Sequence, residues 1–329
     1  MVKHQLVRTA HITAITLVRG IALLAASSLT WAGLTWPGLT WAGDTPIAVI
    51  YPDIGEPYRE IFEQIIEGIE SNTDVPPIKY ALRPNDDSAD MVASLRQKNI
   101  KVAIALGRQG MKAAAALDSG IGVITGGVLN VPQNGVREAL VVSLSPDPAL
   151  MFSRLKSLMP SVKRIFVIYD PDINDWLIKL AAEAAQAQGL ELAAYEAHDV
   201  RNAVKLYQEI FSKADNRTDA FWLPQDTSTV EEGSILPLVL QESWNQSIAV
   251  FSSNVGHVRR GALFSLYPDN VAMGKTLSRI AQNFLTTKAF DKLGMMPLRD
   301  VQISVNLRTA KHLGLNVRNQ QNFNQIIPE

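Results

Sequence analysis

The run Ala48, Val49, Ile50, Tyr51 breaks at Pro52 and Asp53 into Ile54 and then into a helical pattern. The same order returns at Phe166, Val167, Ile168, Tyr169, followed by Asp170, Pro171, Asp172 and Ile173. An apolar β run that ends in an acidic, proline-bearing loop and restarts as a helix is the building unit of an open α/β sheet. Its appearance twice predicts two lobes built on one plan. Such sheets place ligands beyond the carboxyl ends of their strands. Two lobes facing each other would therefore line a cleft, a natural place to catch a small molecule. The fold class expected is α/β, with two Rossmann-like lobes, parallel sheets, helices on both faces and a ligand cleft between the lobes.

Periodicity supports this reading along the chain. In the first lobe, strands are expected near residues 47–51, 78–82, 102–106 and 122–125, with helices at 57–69, 88–98 and 109–117 between them. A further strand at 140–144 leads to a helix that Asp147 and Pro148 open, since proline suits a first turn and an acid the positive end of the dipole. The second lobe repeats the rhythm with strands at 164–169, 190–195, 220–223 and 248–251, and helices at 176–188, 200–214 and 230–245. A strand at 262–266, a helix at 271–287, a loop containing Gly294 and Pro297, a strand at 302–306 and a short helix at 309–313 complete it. The expected division is 1–42 leader, 43–146 first lobe, 147–266 second lobe, and 267–329 a crossover segment shared between the lobes.

Lys3 and Arg8 precede the apolar stretch 20–26, and small residues follow, the three parts of a secretory signal peptide. A Leu-Thr-Trp-(Ala or Pro)-Gly pentapeptide occurs three times over residues 29–43, so a cleavage-like Thr-x-Ala ends at both Ala32 and Ala42. Arg19 interrupts the apolar run well below the ~20 residues that a spanning helix needs. Export to the periplasm is expected, without a lipid anchor.

Of 31 basic and 32 acidic residues, the leader carries Lys3, Arg8 and Arg19 and no acid, which leaves 28 against 32. A mildly acidic chain gives no electrostatic footprint for nucleic acid. Having no cysteine excludes disulfides, thiolate nucleophiles and cysteine-based zinc sites. The 287 residues after the leader exceed what a single core usually serves, again favouring two lobes.

Several stretches resemble the substrate-binding proteins of ABC importers with the type I periplasmic-binding fold, in the branch that includes tryptophan- and tyrosine-binding components. The similarity runs through residues 105–110, 159–165 with 169–172, 223–227, 261–266 with Gly274, and 306–314. The sequence departs from that branch at 126–135, where a Gly-rich, Asn-bearing turn is usual, and in lacking an anchoring cysteine. The resemblance implies a ligand held between hinged lobes and a membrane permease as partner. A monomer is expected, needing no cofactor or metal.

Residues at the strand ends are the ligand-binding candidates. Gly107, Arg108 and Gln109 lie between an apolar strand and a helix, where backbone N–H groups can receive a carboxylate and Arg108 can add a bidentate contact. Alternatively the glycines only permit a tight turn and Arg108 is solvated. Gly126 and Gly127 open the turn after the fourth strand. Asp226 can accept an ammonium while Thr227 or Ser228 donates, although helix capping also calls for these residue types. From the echoed loops come Tyr51, Asp53, Tyr58, Asp170, Asn174 and Trp176. Tyr51 and Trp176 can sandwich an aromatic or apolar ligand body, unless Trp176 begins the core face of its helix. Ser252, Ser253, Asn254, Tyr267 and Asp269 complete the set.

Enzyme readings find little support. Gly274, Lys275 and Thr276 end like a phosphate-binding loop, but the earlier glycine position is Asp269. His198, His257 and His312 are widely spaced, read as surface or loop residues, and accompany no Gly-x-Ser-x-Gly elbow. Glu60, Glu63 and Glu67 follow helical spacing opposite an apolar face, as a solvated surface does. A solute-binding protein is expected, with a sensory module that signals to a membrane receptor as the alternative.

Overall fold

The computed structural model describes residues 46–83, 86, 88–131, 139–317 and 323–328. The expected leader over residues 1–42 lies outside them, as does part of the 126–135 turn.

The chain opens with β1 (Ile47–Pro52), α1 (Tyr58–Glu70), β2 (Ile78–Leu82), α2 (Ser88–Gln97), β3 (Val102–Leu106), α3 (Gly107–Ala114), β4 (Gly122–Val128) and β5 (Leu140–Pro146). It continues through α4 (Pro148–Leu158), β6 (Arg164–Tyr169), α5 (Pro171–Ala187), β7 (Glu191–Glu196), α6 (Val200–Phe211), β8 (Asp219–Leu223), α7 (Ile235–Gln246), β9 (Ala249–Ser252), α8 (Val255–Arg260) and β10 (Phe264–Pro268). It closes with α9 (Asn270–Thr287), β11 (Gly294–Leu298), β12 (Val301–Asn306), α10 (Leu307–His312) and β13 (Gln325–Ile327).

Two sheets result, ordered β11-β5-β4-β3-β1-β2 and β13-β12-β10-β9-β8-β6-β7. Among the described residues every pairing is parallel except that of β10 with β12. Each sheet is covered on both faces, so its central strands are apolar throughout. Along β6, Ile165 and Val167 face one core with Phe152 and Leu177, while Phe166 and Ile168 face another with Tyr207 and Val239. Along β1 the alternation is Val49 toward Ile65 and Leu277, and Ala48 and Ile50 toward Met91 and Leu95.

Among the described residues the chain passes between the sheets three times: after β5, after β10, and from β11 to β12. Helix α9 follows a strand of the second sheet yet packs against α1 of the first lobe. Gly68 and Gly274 make that crossing possible. A Cβ on Gly68 would overlap the Val271 carbonyl, and one on Gly274 would overlap the Ile65 carbonyl.

Three expectations about elements need correction. The loop expected around Gly294 and Pro297 is β11, the edge strand of the first sheet. Proline is compatible with an edge, where its missing N–H costs no ladder bond, and the register shifts between Met296 and Leu298. The helix expected from residue 230 begins at Ile235, which puts Pro237 in the first turn, where no intrahelical N–H is needed. The six-residue α8 was not expected, because it is shorter than the window over which helical periodicity can be read.

Candidate functional site

The carboxyl ends of β3 and β4 face those of β6, β8 and β9 across a cavity of about 430 Å³. Arg108, Leu129 and Asn130 line it from the first lobe. From the second lobe come Ile173 at the start of α5, the segment Pro224–Thr227 after β8, Val230 to Glu232, and Asn254 with His257. Four of the candidate residues therefore meet here: Arg108, Asp226, Thr227 and Asn254.

On the first-lobe side, the backbone positions the arginine. Gly107 has φ +69°, and a Cβ there would lie 3.0 Å from Phe62 Cζ, so glycine suits both the torsion and the space. Arg108 Nη2 donates to Asn130 Oδ1 at 3.3 Å, and no acid pairs with the guanidinium among the described residues. The remaining donors are available to an anionic group. Gln109 turns away, donating to the Leu82 and Arg83 carbonyls at the end of β2. Gly127, with φ +71°, packs close to Gly107, whereas the absent side chain of Gly126 makes room for Leu277 of α9 rather than for a guest.

On the second-lobe side, Asp226 organises two loops. Its Oδ2 accepts from the Asp170 N–H at 2.8 Å and from Asn174 Nδ2 at 2.9 Å, and its Oδ1 accepts from the N–H groups of Ser228 and Thr229, both at 2.9 Å. Four donors saturate the carboxylate, which is buried, so the expectation that it takes a ligand ammonium is corrected. Asp226 rather than Ser228 is the capping residue of this turn. Asp170 likewise caps α5 through the Asp172 N–H, and Asn174 is spent on Asp226 and the Gln225 carbonyl. Thr227 remains exposed at the cavity.

The serines after β9 are also internal. Ser253 Oγ accepts from Trp222 Nε1 at 3.0 Å, and Ser252 Oγ lies 2.8 Å from His257 Nδ1. Asn254 caps α8 through the Gly256 N–H while bordering the cavity. His257, read from the sequence as a surface or loop residue, is instead 3% exposed beneath the cavity wall. Burial, reinforced by Arg260 and opposed by Glu232, pushes its pKa down to about 4. Its role, like that of Leu129, Asn130 and Ile173, carried no sequence signal, because these positions border the cavity only through tertiary folding.

The remaining candidates lie elsewhere. Tyr51 and Asp53 line a separate cavity of about 530 Å³ on the first lobe alone, between the ends of β1 and β2 and helix α1. Tyr58 is exposed on α1. Trp176 packs against the second-lobe core beside α4, its Nε1 buried without a partner. Tyr51 packs against the first-lobe core instead. The aromatic sandwich expected of these two residues is thus not formed. Tyr267 and Asp269 lie at the second crossing between the sheets, where Asp269 caps α9 through the Ala272 N–H. Neither borders the interlobe cavity.

Comparison with known proteins agrees with this architecture. No curated protein matches the chain. Among solved structures, it is similar to the ligand-free, open form of CD0873 from Clostridium difficile, a substrate-binding protein with adhesive properties, at 17% identity over 85% of this chain and 98% of that one, with a TM-score of 0.59. It is also similar to an ABC domain from Streptococcus pneumonia in complex with L-Trp, at 16% identity over 86% of this chain and 100% of that one, with a TM-score of 0.51. A conserved domain protein from Vibrio cholerae aligns at 17% identity over 86% of this chain and 99% of that one, with a TM-score of 0.50. These likenesses establish the type I periplasmic-binding fold. The family model described as ABC transporter substrate binding protein matches residues 78–322, so the chain belongs to the ABC transporter substrate-binding protein family.

Proposed function

We infer that this chain is an exported solute-binding protein that captures a small organic molecule, an amino acid or a related compound, between its hinged lobes and delivers it to an ABC permease. The observation that carries the reading is the cavity shared by both lobes, in which the Arg108 guanidinium has no acidic partner among the described residues. A ligand touching both walls stabilises the shut arrangement, because its contacts are complete only there. The strap of three crossing segments lets the lobes pivot while each keeps its own core. Capture requires grip and release with no covalent step; of the cavity's acids, Asp226 and Glu231 are already bound by backbone N–H groups, and Glu232 alone remains largely exposed. The basic, apolar and small-residue order of positions 1–42 supports export to the periplasm, and no helix among the described residues is long and apolar enough to cross a membrane. A monomer suffices, since both walls of the cavity come from one chain.

The test is a thermal-shift screen of the exported protein over amino acids, purines, sugars and small organic acids. A ligand at 100 times its Kd stabilises the native form by about 2.7 kcal/mol, a shift of several degrees. The reading expects at least one compound to raise the Tm in proportion to the logarithm of its concentration. A uniformly flat screen contradicts it.

A further inference from the structure

The chemistry of the interlobe cavity narrows the class of guest, an inference that rests on the capture reading. Three groups meet Ser252 Oγ: the Asn254 N–H at 3.0 Å, His257 Nδ1 at 2.8 Å and the Leu223 carbonyl at 3.2 Å. The serine has one proton, and a carbonyl only accepts. All three contacts form together only when the serine donates to Leu223 and the Nδ1–H of His257 donates to the serine. Nε2 is then a bare lone pair. It has no partner among the described residues and is not cut off from solvent, so on a residue only 3% exposed overall it opens into the cavity that the residue borders.

The ring is held neutral by its burial, so that lone pair persists through the physiological pH range. Water can meet this acceptor in the open cavity, but once a guest displaces that water an unmatched acceptor is costly. The group that satisfies it has to be a donor. Glu232, beside it on the cavity wall, pairs among the described residues only with Arg260 at 3.8 Å and remains largely exposed, so a positive charge on that donor is balanced there. On the opposite lobe, Arg108 calls for an anion.

The walls between these poles are Leu129, Ile173, Pro224 and Val230, and among the described residues no Phe, Tyr or Trp lines the cavity. An aromatic guest finds no ring to stack on, whereas an aliphatic chain buries its surface against these side chains. We propose that the cavity selects an aliphatic α-amino acid over an aromatic one, with His257 Nε2 accepting a hydrogen bond from the ligand ammonium while Arg108 receives its carboxylate.

Calorimetric titration of the protein expressed from the full chain and dialysed free of bound ligand tests this with three probes: L-leucine, L-tryptophan and 4-methylpentanoate, the leucine skeleton without its amine. L-leucine is expected to bind about 10- to 100-fold more tightly than 4-methylpentanoate, the cost of an acceptor that the guest shuts off from water and leaves unmatched. L-tryptophan is expected to bind more weakly than L-leucine. In His257→Phe, L-leucine affinity should fall toward that of 4-methylpentanoate, whose own affinity stays unchanged, and His257→Gln should recover part of the loss. Should His257→Phe not fold, the ¹⁵N resonance of Nε2 in the parent protein decides. It should have the shift of an unprotonated nitrogen and move on adding L-leucine. Tighter binding of L-tryptophan, equal affinities for the amine and deaminated probes, a loss in His257→Phe that strikes both alike, or an Nε2 resonance indifferent to L-leucine overturns the proposal. If L-leucine fails while another compound of the thermal-shift screen binds, this assignment falls and interlobe capture stands.

Discussion

Arg299 Nη1 donates to Asp147 Oδ2 at 2.7 Å, joining the first passage between the lobes to the third. The Asp147 N–H also donates to the Leu298 carbonyl at 2.8 Å, and the Asp269 N–H to the Asp300 carbonyl at 3.0 Å, so all three crossing segments are tied to one another. The guanidinium is largely exposed while the carboxylate is largely buried and keeps its helix cap through the Ala149 N–H. Solvent screening limits the value of such a pair. Arg299→Ala is expected to cost about 1 kcal/mol or less in urea unfolding. Its larger effect should be on lobe orientation, seen as a broader distribution of interlobe distances between spin labels.

Asp226 ties the β6–α5 turn to the segment after β8, and its four bonds predict sensitivity to an isosteric change. In Asp226→Asn an amide NH₂ must replace one acceptor and face the Asp170 N–H or the turn donors of Ser228 and Thr229. Leaving buried donors unmatched costs about 2–4 kcal/mol in total. The loss should appear in denaturant midpoints without ligand, which separates this structural role from a direct ligand contact.

Helix α9 reaches α1 only because both helices carry glycine at the crossing. Gly274→Val places branched atoms where the Ile65 carbonyl lies, and backbone cannot yield as a flexible side chain does. Overpacking of this kind costs about 1–3 kcal/mol or more. Thermal unfolding should show a lower Tm for Gly274→Val, while Gly55→Val, where open space surrounds the position, should change it little.

His257 gives stability a defined pH dependence. Its folded pKa of about 4 lies below the ordinary 6.5, so between these values the unfolded chain holds a proton that the folded one lacks. The contribution is therefore complete above pH 6.5, declines as the pH falls, and levels off below about 4. The size is roughly 3 kcal/mol from the separation of the two values. Unfolding free energies measured from pH 7 to 4 should fall less steeply in His257→Gln than in the parent.

The two-lobe plan was legible because fully covered parallel sheets write continuous apolar runs, as in Val102–Leu106 and Phe166–Tyr169, separated by amphipathic helices. Asp147 and Pro148 announced α4 correctly because a cap and a first-turn proline act locally. What local pattern could not convey was partnership. Asp226 has the composition of a ligand contact or of a cap, and only the approach of Asp170 and Asn174 from another strand decides between them. His257 is five residues past a strand that gave no sign of the short helix burying it. Tyr51 and Trp176 belong to similar loops, yet each turns into the core of its own lobe. Strand-end position therefore pointed to the sheet edges that border the interlobe cavity without telling which side chains look across it.

Small-angle X-ray scattering of the exported protein, recorded free and saturated with the compound that most raises its Tm, tests the central claim most directly. Capture between hinged lobes predicts a smaller radius of gyration and a shorter maximum dimension in the saturated sample. Superimposable profiles at saturation would contradict it.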